Sequence, residues 1–237
     1  MMSGPILILQ PERCQPPAYL GDWLARRGLD TFTLLLRSAA DLPRPALLAR
    51  CGGVIVLGTH TGDTEPPWRR ALLELLRVLR NEDRPLLALG GGAALLSAAL
   101  GGEVTPAPAR VRGWFPIALH PQAAHPPWIT RFATQPPPAF FWHNHTIGPP
   151  PTALALYSGA HARCQAFVDG RALALCFNPH LQPADYADWL LTARDWAPTS
   201  ATVQPFAELM ADGAARIGAQ RRFADTCFEA WLAMSSA

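Results

Sequence analysis

The sequence contains no lysine, so all twenty of its basic residues are arginine. A phosphate-binding loop of the Gly-x-x-x-x-Gly-Lys type is therefore excluded. The formal net charge is only +2, and the arginines are scattered along the chain instead of forming a basic stripe. We therefore do not expect nucleic acid as a partner.

Long apolar runs and paired cysteines are also absent. The apolar segments are too short for a membrane span, and the first residues lack the pattern of a signal peptide. No Cys-x-x-Cys pair is present, which indicates neither a zinc knuckle nor a disulfide framework. We expect a cytoplasmic protein with no membrane contact and with reduced thiols at its five cysteines, Cys14, Cys51, Cys164, Cys176 and Cys227.

Short apolar runs alternate with helical patterns through the first half of the chain. The runs predict strands at residues 5–9, 31–36, 54–57 and 86–89. The intervening patterns predict helices, including one over residues 66–80 that opens with proline and has leucines on one face. This order predicts a three-layer α/β fold of the flavodoxin-like type, with a mainly parallel, doubly wound sheet.

The second half contains shorter strand patterns separated by proline-rich loops. They predict a small antiparallel appendage that includes a hairpin turn at Asp169-Gly170. A helix is predicted over residues 183–194 and a last one over 206–232, with glycines 213 and 218 as the points where it would break. No repeat or clear linker is visible. We expect a single domain over residues 1–237, with a core at 5–195 and a C-terminal helical extension at 203–235.

Three consecutive glycines, Gly90, Gly91 and Gly92, lie between the fourth strand and the next helix. Many α/β enzymes place a nucleophile on such a turn, but neither serine nor cysteine is present here. The third glycine of a dinucleotide fingerprint is missing, and the turn follows the fourth strand instead of the first. The amides of Gly91 and Gly92 remain able to receive a small anion or oxyanion.

Six segments in order carry a resemblance to a known family: residues 54–58, 85–102, 113–116, 142–143, 165–167 and 175–180. On these segments the chain resembles the class I glutamine amidotransferase family, in its GMP-synthase-like stand-alone branch, over about residues 6–190. The resemblance implies the fold of that family, with a ligand cleft at the carboxyl ends of the strands.

The resemblance also places the family's catalytic positions on this chain. The cysteine nucleophile falls on Gly90 and the glutamine of the same motif falls on Ala94. The base falls on Asn178 and its orienting carboxylate on His180. Attack by a thiolate needs a thiol, a neighbouring base and a group that fixes that base. The resemblance therefore implies a degenerate triad without glutamine hydrolysis by the family's route.

Residues around the expected cleft form the candidate ligand site. His60 lies on the segment that resembles the oxyanion loop, and Asp63 and Glu65 nearby could supply a carboxylate. His143 and His145 would share one side of an extended segment. The candidate ligand-binding residues are Gly58, Thr59, His60, Gly91, Gly92, His143, His145, Cys176, Asn178 and His180.

Other chemistry at this site receives less support from the sequence. No metal is predicted as the default interpretation; a metal site, if one existed, would use His60, His143, His145 and His180. Cys176 is the remaining nucleophile candidate, although packing of a small buried cysteine is favoured for it and for Cys164. Arg110 and Arg112 lie near the substrate region of relatives, with surface charge as the default interpretation.

Three functions follow from these observations. The leading one is a non-catalytic partner or ligand-binding subunit of a biosynthetic enzyme, with a protein partner or a homo-oligomer and a small amide or carboxylate as ligand. The second is an enzyme of altered chemistry, a hydrolase or transferase that uses a histidine-lined pocket. The third is retained amidotransferase activity with displaced residues. No cofactor is predicted.

Overall fold

The strands of the fold form where the sequence has short apolar or β-branched runs. The computed structural model describes residues 4–58, 65–124, 132, 135–192 and 199–234, and within them ten strands are present. The strands are β1 Ile6–Gln10, β2 Thr31–Leu35, β3 Gly53–Val56, β4 Leu86–Leu89, β5 Val104–Phe115, β6 Ile117–Leu119, β7 Ala139–Ile147, β8 Leu154–Gly159, β9 Ala162–Asp169 and β10 Ala172–Leu175.

Six α-helices connect and cover these strands in the same ranges. The helices are α1 Ala18–Arg26, α2 Pro45–Leu48, α3 Arg69–Asn81, α4 Gly91–Ala99, α5 Pro183–Thr192 and α6 Phe206–Met234. The prediction that α3 opens at Pro66 is wrong by one turn, because the helix starts at Arg69, whose N–H donates to the Pro66 carbonyl. The last helix is continuous through both of its glycines.

Eight strands form one mixed sheet in the order β2-β1-β3-β4-β10-β9-β8-β6. The pairs from β2 to β10 are parallel, and those from β10 to β6 are antiparallel. The predicted α/β fold is confirmed. The last predicted strand, however, does not belong to the appendage, because β10 pairs in parallel with β4 in the middle of the sheet.

The separate antiparallel element is smaller than the sequence predicts. It consists of β5 and β7 alone, and β8 and β9 extend the main sheet instead. The apolar run over residues 114–119, one of the shorter strand patterns of the second half, is divided at Pro116, so that its first part pairs with β7 and its second part pairs with β8. A proline lacks the N–H that a continuous ladder needs, which accounts for the division.

Helices cover both faces of the main sheet, so the described residues form three layers. Alternate residues of β1 point to opposite faces: Ile6 and Ile8 pack with α1 and α6, whereas Leu7 and Leu9 pack with α3 and α4. This two-sided burial is typical of an internal parallel strand. Within the described ranges, none of the helices combines the length and apolar character that a membrane span requires.

The C-terminal helix α6 contributes large side chains to the main apolar cluster. Phe228 and Trp231 are fully buried, and the Phe228 ring meets Trp23 of α1 edge-on at 5.4 Å between ring centroids. Burial of side chains of this size stabilises a fold by about 1.5–3 kcal/mol each. The segment before α6 also pairs with β5, since the Arg112 N–H donates to the Thr202 carbonyl at 2.8 Å.

Two glycines of α6 provide a matched test of this packing. A Cβ on Gly213 would overlap the Tyr186 ring, while one on Gly218 would meet nothing within 4 Å. Gly213→Ala should lower the free energy of unfolding by about 1–3 kcal/mol through overpacking. Gly218→Ala should raise it by about 0.5–1 kcal/mol through helix propensity. Urea unfolding measures both, and stabilisation by both substitutions would contradict the packing of α6 on Tyr186.

Candidate functional site

The glycine turn joins β4 to α4 by a sharp bend. Gly90 has φ +55° and ψ −123°, a region that residues with a Cβ rarely occupy, and α4 starts at the next residue. The Gly90 N–H donates to the carbonyls of Leu175 and Phe177 at 2.8 and 3.2 Å. The bend therefore lies against the end of β10 and has the strand-turn-helix form on which α/β enzymes mount a nucleophile.

The contacts that an added Cβ at position 90 would make show in which direction the bend points. A Cβ on Gly90 would overlap Oδ1 of Asn178 and lie 3.3 Å from its Cγ. The Asn178 N–H donates to the Phe140 carbonyl at 3.0 Å, and the residue is only 2% exposed. Oδ1 of Asn178 has no hydrogen-bond partner among the described residues. The turn thus points at Asn178, three residues beyond the end of β10.

Two further glycines allow the ends of neighbouring elements to approach closely. A Cβ on Gly92 would overlap the Val56 carbonyl oxygen, so α4 begins in contact with β3. A Cβ on Gly58 would overlap Oε1 of Gln15 and lie 3.2 Å from the Gly91 nitrogen. The carboxamide of Gln15 therefore lies beside the end of β3 and the start of α4.

Gln15 is a site residue that the sequence analysis missed. It belongs to the loop between β1 and α1, and only 4% of it is exposed. A general rule could have indicated it, because loops that follow parallel strands border the ligand crevice at the carboxyl edge of the sheet. Every polar residue of the loop after β1 was for that reason a candidate.

His180 comes two residues after Asn178 in the chain and is only 1% exposed. Its carbonyl accepts the Tyr19 N–H at 2.9 Å, and its Nδ1 has no partner in the described part of the chain. Burial lowers the pKa of His180 from 6.5 to about 4, so the imidazole is neutral at pH 7. The residue lines a small cleft with Cys14, Gln15, Pro16, Ala18, Leu181, Asp185 and Trp189.

His143 and His145 lie on the same face of β7, as the period of two in a strand predicts. Burial and, next, the nearby Arg112 cation lower the pKa of His143 to about 4. Burial and the Arg69 cation lower the pKa of His145.

The other candidate residues near His60 cannot be compared with these two, because Thr59, His60 and Asp63 lie outside the described residues. Among the residues that are described, no three histidine, cysteine, aspartate or glutamate side chains form a group able to hold a metal ion.

The two cysteines considered as nucleophiles lie in apolar surroundings. Cys164 and Cys176 both belong to the cluster between the main sheet and the α3–α4 layer. Burial raises the pKa of Cys164 to about 12, and burial followed by the neighbouring Cys164 raises the pKa of Cys176 well above its usual value. Both side chains are therefore thiols at pH 7, and neither provides the thiolate that nucleophilic attack requires.

The interpretation of Arg112 as a surface charge is wrong. Arg112 is 2% exposed, and its guanidinium donates to the His143 carbonyl at 2.9 Å and to Asn144 Oδ1 at 2.6 Å. The cation also lies over the Trp142 ring at 4.7 Å from its centroid. A planar guanidinium with several donors suits such a position between two strands. Arg110, by contrast, is exposed.

Solved structures with the same fold include glutamine amidotransferases. A glutamine amidotransferase from Methylobacillus flagellatus superposes with a TM-score of 0.86 at 24% identity, over 97% of this chain and 94% of the other. One from Thermotoga maritima gives a TM-score of 0.84 at 17% identity over the whole of both chains. A GMP-synthase-subunit-like protein from Thermoplasma acidophilum gives 0.63 at 13% identity, over 98% and 94%. No family model and no curated protein matches the sequence.

The contact between positions 90 and 178 can be measured by a double-mutant cycle. Gly90→Ala should lower the free energy of unfolding by about 1–2 kcal/mol from the left-handed backbone and by about 1–3 kcal/mol more from the overlap with Asn178. Gly28→Ala is the matched control, because Gly28 has φ +68° and no atom within 4 Å of an added Cβ. Urea unfolding should show that Asn178→Gly relieves part of the Gly90→Ala loss but none of the Gly28→Ala loss. Equal losses in the two alanine variants would contradict the overlap.

The lowered pKa of His180 predicts a pH dependence of stability. In the unfolded chain the imidazole binds a proton below pH 6.5, whereas in the folded chain it does so only near pH 4. The stabilisation is therefore complete above pH 6.5 and is lost as the pH falls towards 4. In urea unfolding, His180→Gln should reduce the loss of stability between about pH 7 and 5 by on the order of 2 kcal/mol. Asn178→Ala is the control, since it should leave that loss unchanged; an unchanged loss in His180→Gln would refute the prediction.

Proposed function

We propose that this chain, which has the fold of the glutamine amidotransferases, is a relative that has lost cysteine-dependent glutamine hydrolysis and acts as a non-catalytic partner or ligand-binding subunit of a biosynthetic enzyme. Gly90 carries this proposal. The turn that would present a nucleophile keeps its shape and points at position 178, yet it has no side chain to present. We also expect the protein to act in the cytoplasm.

The neighbouring positions support the same conclusion. A hydrolytic thiol needs a base that takes its proton, and the carboxamide of the asparagine at position 178 cannot accept a proton at neutral pH. His180 stands where the resemblance implies a carboxylate, and its pKa of about 4 keeps it uncharged. Because the members of such a group act as a unit, loss of one costs about as much as loss of all. The changes at positions 90, 178 and 180 are thus mutually consistent.

Gln15 adds a second line of support. Its carboxamide lies beside Gly58 and near the Gly91 nitrogen, at the start of α4. A chain that places its own buried amide there leaves less room for a free amino acid. This arrangement is in keeping with a cleft that has been closed or adapted to a smaller ligand, such as a small amide or carboxylate.

The two alternative functions receive less support. Altered chemistry in a histidine-lined pocket needs a histidine that exchanges protons near neutral pH, whereas burial lowers the pKa of His143 and His180 to about 4 and also lowers that of His145. Retained amidotransferase activity needs a displaced thiolate, and burial keeps Cys164 and Cys176 protonated. The name of one structural neighbour, a GMP-synthase-subunit-like protein, is in keeping with a role beside a second protein.

The proposal predicts that the wild-type protein releases no ammonia from L-glutamine above the rate of a heat-denatured sample. Rebuilding the group with Gly90→Cys, Ala94→Gln, Asn178→His and His180→Glu, together with Gln15→Ala to make room for the substrate, should give measurable ammonia release, because the turn already has the required shape. A coupled glutamate dehydrogenase assay measures the rate.

The matched control carries the same substitutions except Gly90→Cys, and it should remain at background. Wild-type ammonia release that persists through purification and disappears in Cys176→Ser or Cys164→Ser would overturn the proposal. Such a result would instead favour retained amidotransferase activity with a displaced nucleophile.

A further inference from the structure

The strand β2 forms one edge of the main sheet and is largely exposed. It pairs with β1 on its inner side, and no other strand in the described ranges pairs with its outer side. Thr31, Phe32 and Thr33 are exposed, and the Phe32 side chain is 48% accessible although it is large and apolar. An edge of this kind leaves a row of backbone groups available for another strand.

The hydrogen bonds to β1 determine which backbone groups point outward. The Ile6 N–H donates to the Asp30 carbonyl at 2.8 Å, and the Leu36 N–H donates to the Gln10 carbonyl at 2.9 Å. With Ile6 opposite Thr31 in a parallel register, the even-numbered residues of β2 therefore bond to β1. The N–H and C=O groups of Thr31, Thr33 and Leu35 consequently point away from the sheet.

The sequence of this edge lacks the usual protection against strand pairing. Proteins commonly protect edge strands with charged residues, proline, bulges or short length. Residues 31–35 contain neither a charge nor a proline, and their register with β1 is regular. At the opposite edge of the sheet, β6 has only three residues and lies between Pro116 and Pro121. Compared with the β6 edge, the β2 edge is therefore better suited to pairing with another strand.

We infer that β2 pairs antiparallel with β2 of a second copy of this chain, with the two-fold axis at Thr33. In that register Thr33 lies opposite Thr33 and Thr31 lies opposite Leu35. All outward groups of the three odd-numbered residues are then hydrogen-bonded. Phe32 of each copy lies opposite Leu34 of the other at a non-hydrogen-bonded pair, where side chains approach most closely. The exposed Phe32 ring is thereby covered.

The charges at the two ends of β2 also favour a second copy of the chain, paired antiparallel. Asp30 precedes β2 and is exposed, and the Arg37 side chain beyond its other end pairs with Asp41 of its own chain at 3.4 Å while remaining 78% exposed. Antiparallel pairing brings Asp30 of one copy towards Arg37 of the other at both ends of the interface. A parallel arrangement would bring like charges together. A second copy of the chain therefore supplies complementary charge as well as complementary backbone groups.

Sedimentation velocity of the full chain over a wide concentration range tests the pairing. The wild type should sediment with twice the 25.7 kDa mass of one chain. Thr33→Pro should yield monomers, since it removes an outward N–H while leaving the bonds to β1 in place. Phe32→Asp should weaken the dimer by at least about tenfold in dissociation constant, because it places like charges on both sides of the axis. Val78→Asp alters an equally exposed apolar residue, 50% accessible on α3, and should leave the dimer intact.

Hydrogen exchange keeps the inference testable if a variant folds poorly. In the wild type, the amides of Thr31, Thr33 and Leu35 should become more protected as the protein concentration rises. A wild type that is monomeric throughout, or a folded Thr33→Pro variant that remains dimeric, would overturn the self-pairing. Protection of these amides only in the presence of a different protein would also overturn it. None of these results depends on whether the protein hydrolyses glutamine.

Discussion

The close approach of α4 to the sheet is the constraint on which the site depends. The helix starts where a Cβ on Gly92 would overlap the Val56 carbonyl, and the Gly90 N–H bonds to the carbonyls of Leu175 and Phe177. Any side chain at position 92 would push the helix away from β3. The turn therefore fixes how the ends of β3, β4 and β10 meet, and with them the places of Asn178 and Gln15.

This constraint links position 90 to position 178, the two positions at which we propose that a nucleophile and a base have been lost. Because the turn points residue 90 at residue 178, the two positions share a small volume. With glycine at position 90, Oδ1 of Asn178 fills the space that a side chain on the turn would need. Within the described part of the chain this oxygen has no donor, which costs about 1–3 kcal/mol for a buried acceptor, and the backbone bond from Asn178 to Phe140 holds it there nonetheless. The side chain that position 90 can hold therefore depends on the side chain at position 178, and the reverse is also true.

Local patterns in the sequence predicted where the strands and helices lie better than they predicted which strands pair. Short apolar runs located β1, β3 and β4, and the period of two placed His143 and His145 on one face. Which strands pair depends on contacts between distant residues, so β8 and β9 were assigned to the appendage although they extend the main sheet. The burial of Arg112 and the approach of Gln15 to Gly58 were missed for the same reason. Both result from the meeting of segments that are far apart along the chain.

The proposed pairing surface and the candidate cleft lie in different parts of the sheet. Three strands, β1, β3 and β4, lie between β2 and β10, and Asn178 lies beyond the end of β10. Pairing through β2 would extend the sheet sideways and leave the carboxyl edge, with Gly90 and Gln15, uncovered. Two copies could then each offer a cleft to a further protein or a small ligand. The non-catalytic subunit that we propose can act in this way, because assembly and recognition need surfaces and not a nucleophile.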